Sequence, residues 1–111
     1  MEKIKFKPST LLSPVPVVMV SMGDKNVSNI ITVAWVGTVN SEPPMISISV
    51  RRQRYSYDII NKHKTFGVNL VSADIVEKAD WCGVKSGKEY DKFKECNFTK
   101  FYGDITGVPL I

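Results

Sequence analysis

The chain has 111 residues, which is the size of one ordinary domain and too small for two independent cores. Apolar residues make up 43% and charged residues 23%, a composition that excludes disordered, collagen-like and low-complexity classes. Fifteen Lys and Arg against eleven Asp and Glu leave a net charge of +4, which favours an anionic partner, with phosphate the first candidate. No apolar run has the length of a membrane span, and the lysine-rich start lacks a signal-peptide core, so we expect a cytoplasmic protein without membrane contact.

Thiols and imidazoles are scarce. Cys82 and Cys96 are the only cysteines and His63 is the only histidine, which is too few for a disulfide scaffold or a Cys/His zinc site. His63 stands between two lysines in a pattern typical of a solvated helix end. Cys82 has no neighbouring base and is typical of a small buried residue. We therefore assign no catalytic or metal-binding side chain and expect a cofactor to carry any chemistry.

Strand patterns dominate the chain. The β-branched run 16–22 predicts a buried strand, and 29–39 is a second β-rich run. Residues 45–50 resume the pattern after a proline pair, which predicts a hairpin whose second arm has alternating apolar and hydroxyl-bearing faces. Further strands are predicted over 66–71 and 99–105.

Short helices are predicted between these strands. Ser56 is a good N-cap and predicts a helix over 56–62. Asp74, with a glutamate three residues later, resembles a capping box and predicts a helix over 75–81, and 91–96 predicts a third turn. Because strands and helices do not alternate regularly, we expect one domain that is mostly β with short helices, built as a mostly antiparallel barrel.

One segment predicts an anion site. Residues 50–56 combine a strand end, three arginines and the expected helix start at Ser56. The N–H groups of Tyr57 and Asp58, the Ser56 hydroxyl and a guanidinium group would converge on a phosphate there. The plainer alternative is that Ser56 only caps its helix while the arginines form a solvated rim. These residues alone leave both interpretations open.

Two further clusters have the chemistry to contact a ligand. Asn29 and Thr32 are polar within an apolar run, although a turn and an outer strand face would also explain them, with Trp35 in the core. The loop 81–87 and the nearby Lys92 supply glycines that permit close approach and lysines that supply charge. The plainer interpretation is a generic loop whose exposed charges contribute little to folding.

The order of the motifs adds information that each motif lacks. The series is N-x-x-T-x-A-W, P-P-x-x-x-I-S-V-R with R-Y-S, F-x-V-N-L, D-W-C-G-x-x-S-G and D-K-F. This series spans nearly the whole chain and resembles the flavin reductase-like, flavoredoxin-type family of FMN-binding split β-barrels. The resemblance implies one noncovalently bound FMN near a homodimer interface. It also implies further strands that complete the barrel, so a single flavin reductase-like domain over 1–111 would be incomplete at its C-terminus.

The resemblance also implies roles for individual residues that match the motifs of the family. The residues expected along the isoalloxazine and ribityl groups are Asn29, Thr32, Ala34 and Trp35. Those expected on the strand that faces the flavin are Ser47, Ile48, Ser49, Val50 and Arg51. Arg54 and Ser56 would take the phosphate, and the last group is Ser86, Gly87 and Lys92, with Lys92 reaching the phosphate or the pyrimidine edge.

Two classes of function follow. The first is an FMN-binding flavoprotein, either an NAD(P)H-dependent flavin or ferric reductase or a flavoredoxin-like electron carrier served by a redox partner protein. The second is a small basic β-barrel that binds single-stranded nucleic acid through its tyrosines, namely Tyr55, Tyr57, Tyr90 and Tyr102. A net charge of +4 is thin support for the second class, so we expect no nucleic-acid partner.

Overall fold

Three small antiparallel sheets and three short helices make up the computed structural model, which describes residues 1–111. The strands are β1 (Val18–Gly23), β2 (Ser28–Val33), β3 (Val36–Ser41), β4 (Pro44–Ile48), β5 (Gly67–Leu70), β6 (Phe101–Tyr102) and β7 (Pro109–Leu110). The helices are α1 (Tyr55–His63), α2 (Val76–Val84) and α3 (Lys92–Glu95), and a 3₁₀ turn over Ala73–Ile75 leads into α2. The mostly-β architecture with short helices is confirmed.

The central sheet has the order β2-β1-β5, while β3 pairs with β4 and β6 pairs with β7. All six residues of β1 are buried, because this strand is covered on both faces. Successive side chains alternate across a strand, so Val20 and Met22 pack with Ile59 of α1, whereas Met19 on the opposite face packs with α2 and α3. The central sheet therefore holds α1 on one side and α2 with α3 on the other.

Hydrogen bonds of Asn69 and Ser21 attach the C-terminal hairpin, β6 and β7, to the central sheet. Asn69 donates to the Ser21 hydroxyl oxygen at 2.9 Å, and the Asn69 carbonyl accepts the Ile111 amide at 3.0 Å. The Ser21 hydroxyl donates to the carbonyl of Pro109 on β7. These bonds satisfy the buried Ser21 and the partly buried Asn69 side chains in the sheet and place β7 against β1 and β5. No helix of the structure is long and apolar enough to span a membrane.

Several predicted boundaries are wrong. The run 29–39 is two strands, because the chain breaks at Ala34 and Trp35. The last predicted strand, 99–105, shrinks to the two residues of β6. The predicted capping box is absent, since the Asp74 carboxylate accepts the Ser72 hydroxyl within the 3₁₀ turn, and α2 starts only at Val76.

The predicted N-cap of α1 is also wrong. The helix starts at Tyr55, with Arg54 as a cap that makes no side-chain bond, so Ser56 lies inside the first turn. The N–H group of Tyr57 donates to the Arg54 carbonyl at 3.0 Å and is not free for an anion. The Tyr57 amide therefore cannot contribute to an anion site at this helix.

Candidate functional site

Two adjoining cavities, which share Ile31 and Arg54, collect most of the predicted site residues. The first cavity has a volume of about 260 Å³ and is lined by Ile31, Thr32, Val33, Ala34, Trp35, Ser49, Val50, Arg51 and Arg54. The second has a volume of about 120 Å³ and is lined by Asn29, Ile31, Gln53, Arg54, Tyr55, Ser56, Val84, Lys85, Ser86, Gly87 and Lys92. We call them the apolar cavity and the cationic cavity. All the residues assigned from the sequence except Ser47 and Ile48 line one of the two.

The apolar cavity forms where β2 ends. Beyond Val33 the chain leaves the sheet, and the Trp35 carbonyl accepts the Ser49 amide at 2.9 Å, which joins this break to the segment after β4. Trp35 is 49% exposed, so the interpretation of this side chain as core is wrong. The Thr32 hydroxyl donates to the Ala79 carbonyl at 2.5 Å, so its one proton is already used and its oxygen can only accept from a ligand.

In the cationic cavity the buried Asn29 side-chain amide is hydrogen-bonded to the buried Ser56 hydroxyl. Asn29 donates through Nδ2 to the Ser56 hydroxyl oxygen at 2.9 Å, which links β2 to α1. Because the hydroxyl oxygen accepts this bond, its proton stays available for an acceptor in the cavity. The sequence placed both residues at the site, and the structure supplies the contact between them.

Lys92 is the most constrained cation of the site. Its side chain is on α3 and only 3% exposed, and its ammonium donates to the carbonyls of Ile30 at 2.8 Å and Cys82 at 2.6 Å. The interpretation as an exposed loop charge is therefore wrong. An ammonium group has three donors, so one N–H remains beyond these two bonds, and Lys92 lines the cationic cavity.

Burial dominates the electrostatics of this lysine. Desolvation lowers the pKa of Lys92 below its ordinary value of 10.5, and the Arg54 guanidinium lowers this pKa further. The thiols of Cys82 and Cys96 act in the opposite direction on the same pKa. Two cations at one small cavity repel each other, so an anion bound between them would relieve both.

Gly87 allows its loop to contact the site closely. A Cβ atom at this position would lie 2.3 Å from Asn29 Oδ1 and 2.6 Å from the Tyr55 ring, closer than real Cβ contacts. The close approach predicted for this glycine is confirmed. Its neighbour Ser86 is exposed, and its hydroxyl oxygen accepts the Lys88 amide at 3.2 Å, which stabilises the turn that carries the loop.

Ser47 and Ile48 lie on β4, outside both cavities. Ser47 is exposed, while Ile48 lines a separate cavity with Tyr57 and Ile60. The apolar face of this strand is only partly buried, because Ile46 on that face is itself exposed. Ser47 therefore lies apart from the other site residues, whereas Ile48 shares its cavity with Val50.

Six lining residues are not among those that the family resemblance assigns to the flavin, namely Ile31, Val33, Gln53, Tyr55, Val84 and Lys85. All six lie inside the three segments that carry the predicted site, which are 29–35, 50–56 and 81–87. Taking each whole segment as part of the site would have found them.

The fold of this chain is similar to those of two flavoredoxins. Flavoredoxin of Desulfovibrio vulgaris (Miyazaki F) superposes with a TM-score of 0.91 at 32% identity, over 98% of this chain and 60% of that one. Flavoredoxin from Methanosarcina acetivorans superposes with a TM-score of 0.89 at 33% identity, over 100% of this chain and 59% of that one. The fold is therefore that of the FMN-binding split-barrel proteins, as the motif series predicted.

Residues 10–111 match the model of the Flavin reductase like domain, and the chain belongs to that family. Among curated proteins, the uncharacterized protein YddH of Escherichia coli (strain K12) is 28% identical over 105 residues, which is 93% of this chain and 56% of YddH. The chain thus spans 60% or less of the length of each of these three relatives. Membership of this family indicates a flavin-related function.

Proposed function

We propose that this chain binds FMN across the two cavities and acts as an FMN-dependent oxidoreductase or electron carrier. The observation that carries the proposal is the junction of an apolar cavity with a cationic one at Arg54. FMN has the same division, with a flat ring at one end and a phosphate at the other. Membership of the Flavin reductase like family and the flavoredoxin relatives support a flavin over other phosphate-bearing ligands, and the motif series implies FMN.

The residues present fit the cofactor. A phosphate needs several donors, and the cationic cavity offers the Arg54 guanidinium, the remaining N–H of Lys92 and the Ser56 hydroxyl. The apolar cavity offers aliphatic walls and the half-exposed Trp35 ring. Bound FMN supplies hydride-transfer and electron-transfer chemistry, so the chain's own side chains need only bind and orient it.

The electron donor and the assembly are parts of the same proposal. NAD(P)H would donate electrons to a flavin or ferric reductase, whereas a redox partner protein would donate electrons to a carrier. Both kinds of protein belong to the proposed class. We also propose a homodimer, on the family resemblance, and a cytoplasmic location, as expected from the sequence. Anaerobic addition of NADH or NADPH to the FMN-loaded protein separates the donors, because only a nicotinamide-dependent reductase would bleach the flavin spectrum.

The cofactor itself has a direct test. Purified protein reconstituted with FMN should be yellow, bleach with dithionite and carry about one flavin per chain, as expected for a single built site. A colourless protein that instead binds oligonucleotides in a salt-sensitive manner would favour the nucleic-acid alternative.

FMN should bind more tightly than riboflavin, and Arg54→Ala should remove much of the difference. Charge-assisted hydrogen bonds contribute roughly 1.5–3 kcal/mol each, so the loss of Arg54 should weaken FMN binding by about tenfold or more. Riboflavin binding should change less, because riboflavin has no phosphate. Calorimetric titration of both ligands measures the effect.

Arg52→Ala is the matched control, since Arg52 is a neighbouring exposed arginine that lines neither cavity. Its FMN affinity should equal that of the wild type. Equal affinity of the wild-type protein for FMN and riboflavin would contradict the phosphate role of the cationic cavity.

FMN affinity should also fall at alkaline pH. As the pH rises through the lowered pKa of Lys92, the ammonium becomes an amine that keeps two N–H groups for its two carbonyls but loses its charge. Because the folded pKa lies below the unfolded one, the cost of burying the charged form is full below the folded pKa and declines as the pH rises from the folded to the unfolded pKa. Deprotonation of Lys92 therefore does not destabilise the fold in the window where binding weakens.

Parallel titration of FMN and riboflavin at several pH values checks this expectation. Riboflavin shares the ring ionisation of FMN but has no phosphate, so its affinity reports any other alkaline effect. A decline of equal size for both ligands would show that Lys92 does not hold the phosphate.

A further inference from the structure

Two thiols lie in contact where α2 meets α3. Cys82 belongs to α2, Cys96 follows the last residue of α3, and their sulfur atoms are 3.7 Å apart. Both are free thiols, and both pack in one apolar cluster with Ile30 and Phe93. A disulfide needs a sulfur separation of about 2.0 Å, so small movements of two side chains that already touch would form the bond.

Only one of the two thiols is near solvent. Cys82 has no exposed surface, whereas Cys96 is 6% exposed and lines an open cleft of about 270 Å³ with Glu77, Lys78, Trp81 and Glu95. Burial, and then the adjacent Cys96, raise the pKa of Cys82 to about 12, so Cys82 stays protonated. A small oxidant that enters the cleft would therefore contact Cys96 first, because Cys82 lies deeper in the protein.

We propose that Cys82 and Cys96 are an oxidative modification site at which hydrogen peroxide converts the two thiols into an intramolecular disulfide. In the first step the Cys96 sulfur attacks one peroxide oxygen, the O–O bond breaks, and Cys96 sulfenic acid and water form. In the second step the Cys82 sulfur attacks the Cys96 sulfur, the S–O bond breaks, and the departing hydroxyl takes the Cys82 thiol proton and leaves as a second water. The thiol pair loses two electrons and two protons, and the peroxide is reduced to two molecules of water.

The disulfide would close a loop that lines the cationic cavity. Residues 83–95 lie between the two cysteines and include Ser86, Gly87 and Lys92 of that cavity. Lys92 is bonded to both cysteines, since its ammonium donates to the Cys82 carbonyl at 2.6 Å and its own carbonyl accepts the Cys96 amide at 3.1 Å. A cross-link at these two points restricts the opening of the segment between them. The inference stands on these contacts and does not depend on flavin binding.

Peptide mapping of the full chain after treatment with hydrogen peroxide tests the site. We expect a Cys82–Cys96 linkage within one chain, formed over minutes to hours because both thiols are buried and Cys82 is protonated, and reversed by dithiothreitol. Mapping is needed because exposed methionines such as Met45 also take up oxygen. Oxygen adducts on Cys96 without the linkage, linkage between two chains, or two unmodified thiols would each overturn the proposal.

Hydrogen exchange tests the consequence for the cavity. Amides in 83–95 should exchange at least severalfold more slowly in the oxidised protein than in the reduced protein, and equal rates would overturn the coupling to the cavity. Cys82→Ala is the control variant, which leaves Cys96 without its partner and should accumulate oxygen adducts there. If this variant does not fold, peptide mapping of the wild type still tests the disulfide, and its exchange rates still test the coupling to the cavity.

Discussion

Lys92→Met should cost this protein both stability and FMN affinity. The Lys92 ammonium is the donor to two carbonyls, those of Ile30 on β2 and Cys82 on α2, and methionine has no donor to replace it. Each buried carbonyl left without a donor costs about 1–3 kcal/mol, partly offset because no charge is buried any longer. We expect a net loss of about 2–4 kcal/mol, or roughly 10–20 °C in Tm.

The same substitution removes one cation from the cationic cavity, so FMN affinity should fall by about tenfold or more. Denaturant unfolding of the apo-protein and titration with FMN measure the two losses separately. The matched control is Lys94→Met on the same helix, because the Lys94 side chain is exposed and should be neutral within about 0.5 kcal/mol. An unchanged unfolding midpoint in Lys92→Met would show that the two carbonyl bonds do not hold α3 in place.

Gly87→Ala should damage the cationic cavity more than its single added methyl group suggests. The new Cβ would lie 2.3 Å from Asn29 Oδ1 and 2.6 Å from the Tyr55 ring. Neither neighbour can yield freely, because Asn29 is buried and bonded to Ser56, and Tyr55 is half-buried. Either the loop withdraws from the site or Asn29 releases Ser56, and both outcomes separate donors that the phosphate needs.

We expect Gly87→Ala to lower FMN affinity by about tenfold to a hundredfold and to cost about 1–3 kcal/mol of stability, as overpacking typically does. Gly37→Ala is the matched control, since a Cβ atom there meets nothing within 4 Å and the residue lies on an exposed strand. That variant should bind FMN normally and be as stable as the wild type or slightly more so. Normal FMN binding in Gly87→Ala would mean that this loop lies outside the binding site.

The sequence by itself determined most of the central sheet. The β-branched, apolar runs around Val20 and Ile31 predict strands because short runs of this composition are typical of buried strands, and both strands are present. The same reasoning misplaced the start of α1 by one residue, because Ser56 satisfies the chemistry of an N-cap as well as that of a buried hydrogen-bond acceptor. Local pattern alone does not separate these two roles.

The sequence also identified the family and most of the lining residues. Asn29, Arg54 and Lys92 belong to motifs far apart in the chain, and their order along the chain carries the resemblance. What the motifs do not contain is the hydrogen-bond partner of each side chain. Ser56 was assigned to a phosphate, and the structure adds that it first accepts a bond from Asn29.

Only the tertiary structure decided how the cations and thiols are used. Lys92 contacts the carbonyl of Ile30, 62 positions earlier in the chain, and Cys82 contacts Cys96 through two different helices. Every residue has a backbone carbonyl, so the partners of Lys92 can be residues of any type. A sequence motif therefore cannot reveal which carbonyls a buried lysine binds. Trp35 likewise has the composition of a core residue, and it is half-exposed because the chain leaves the sheet just before it. Burial, unlike periodicity, is a property of how distant segments pack.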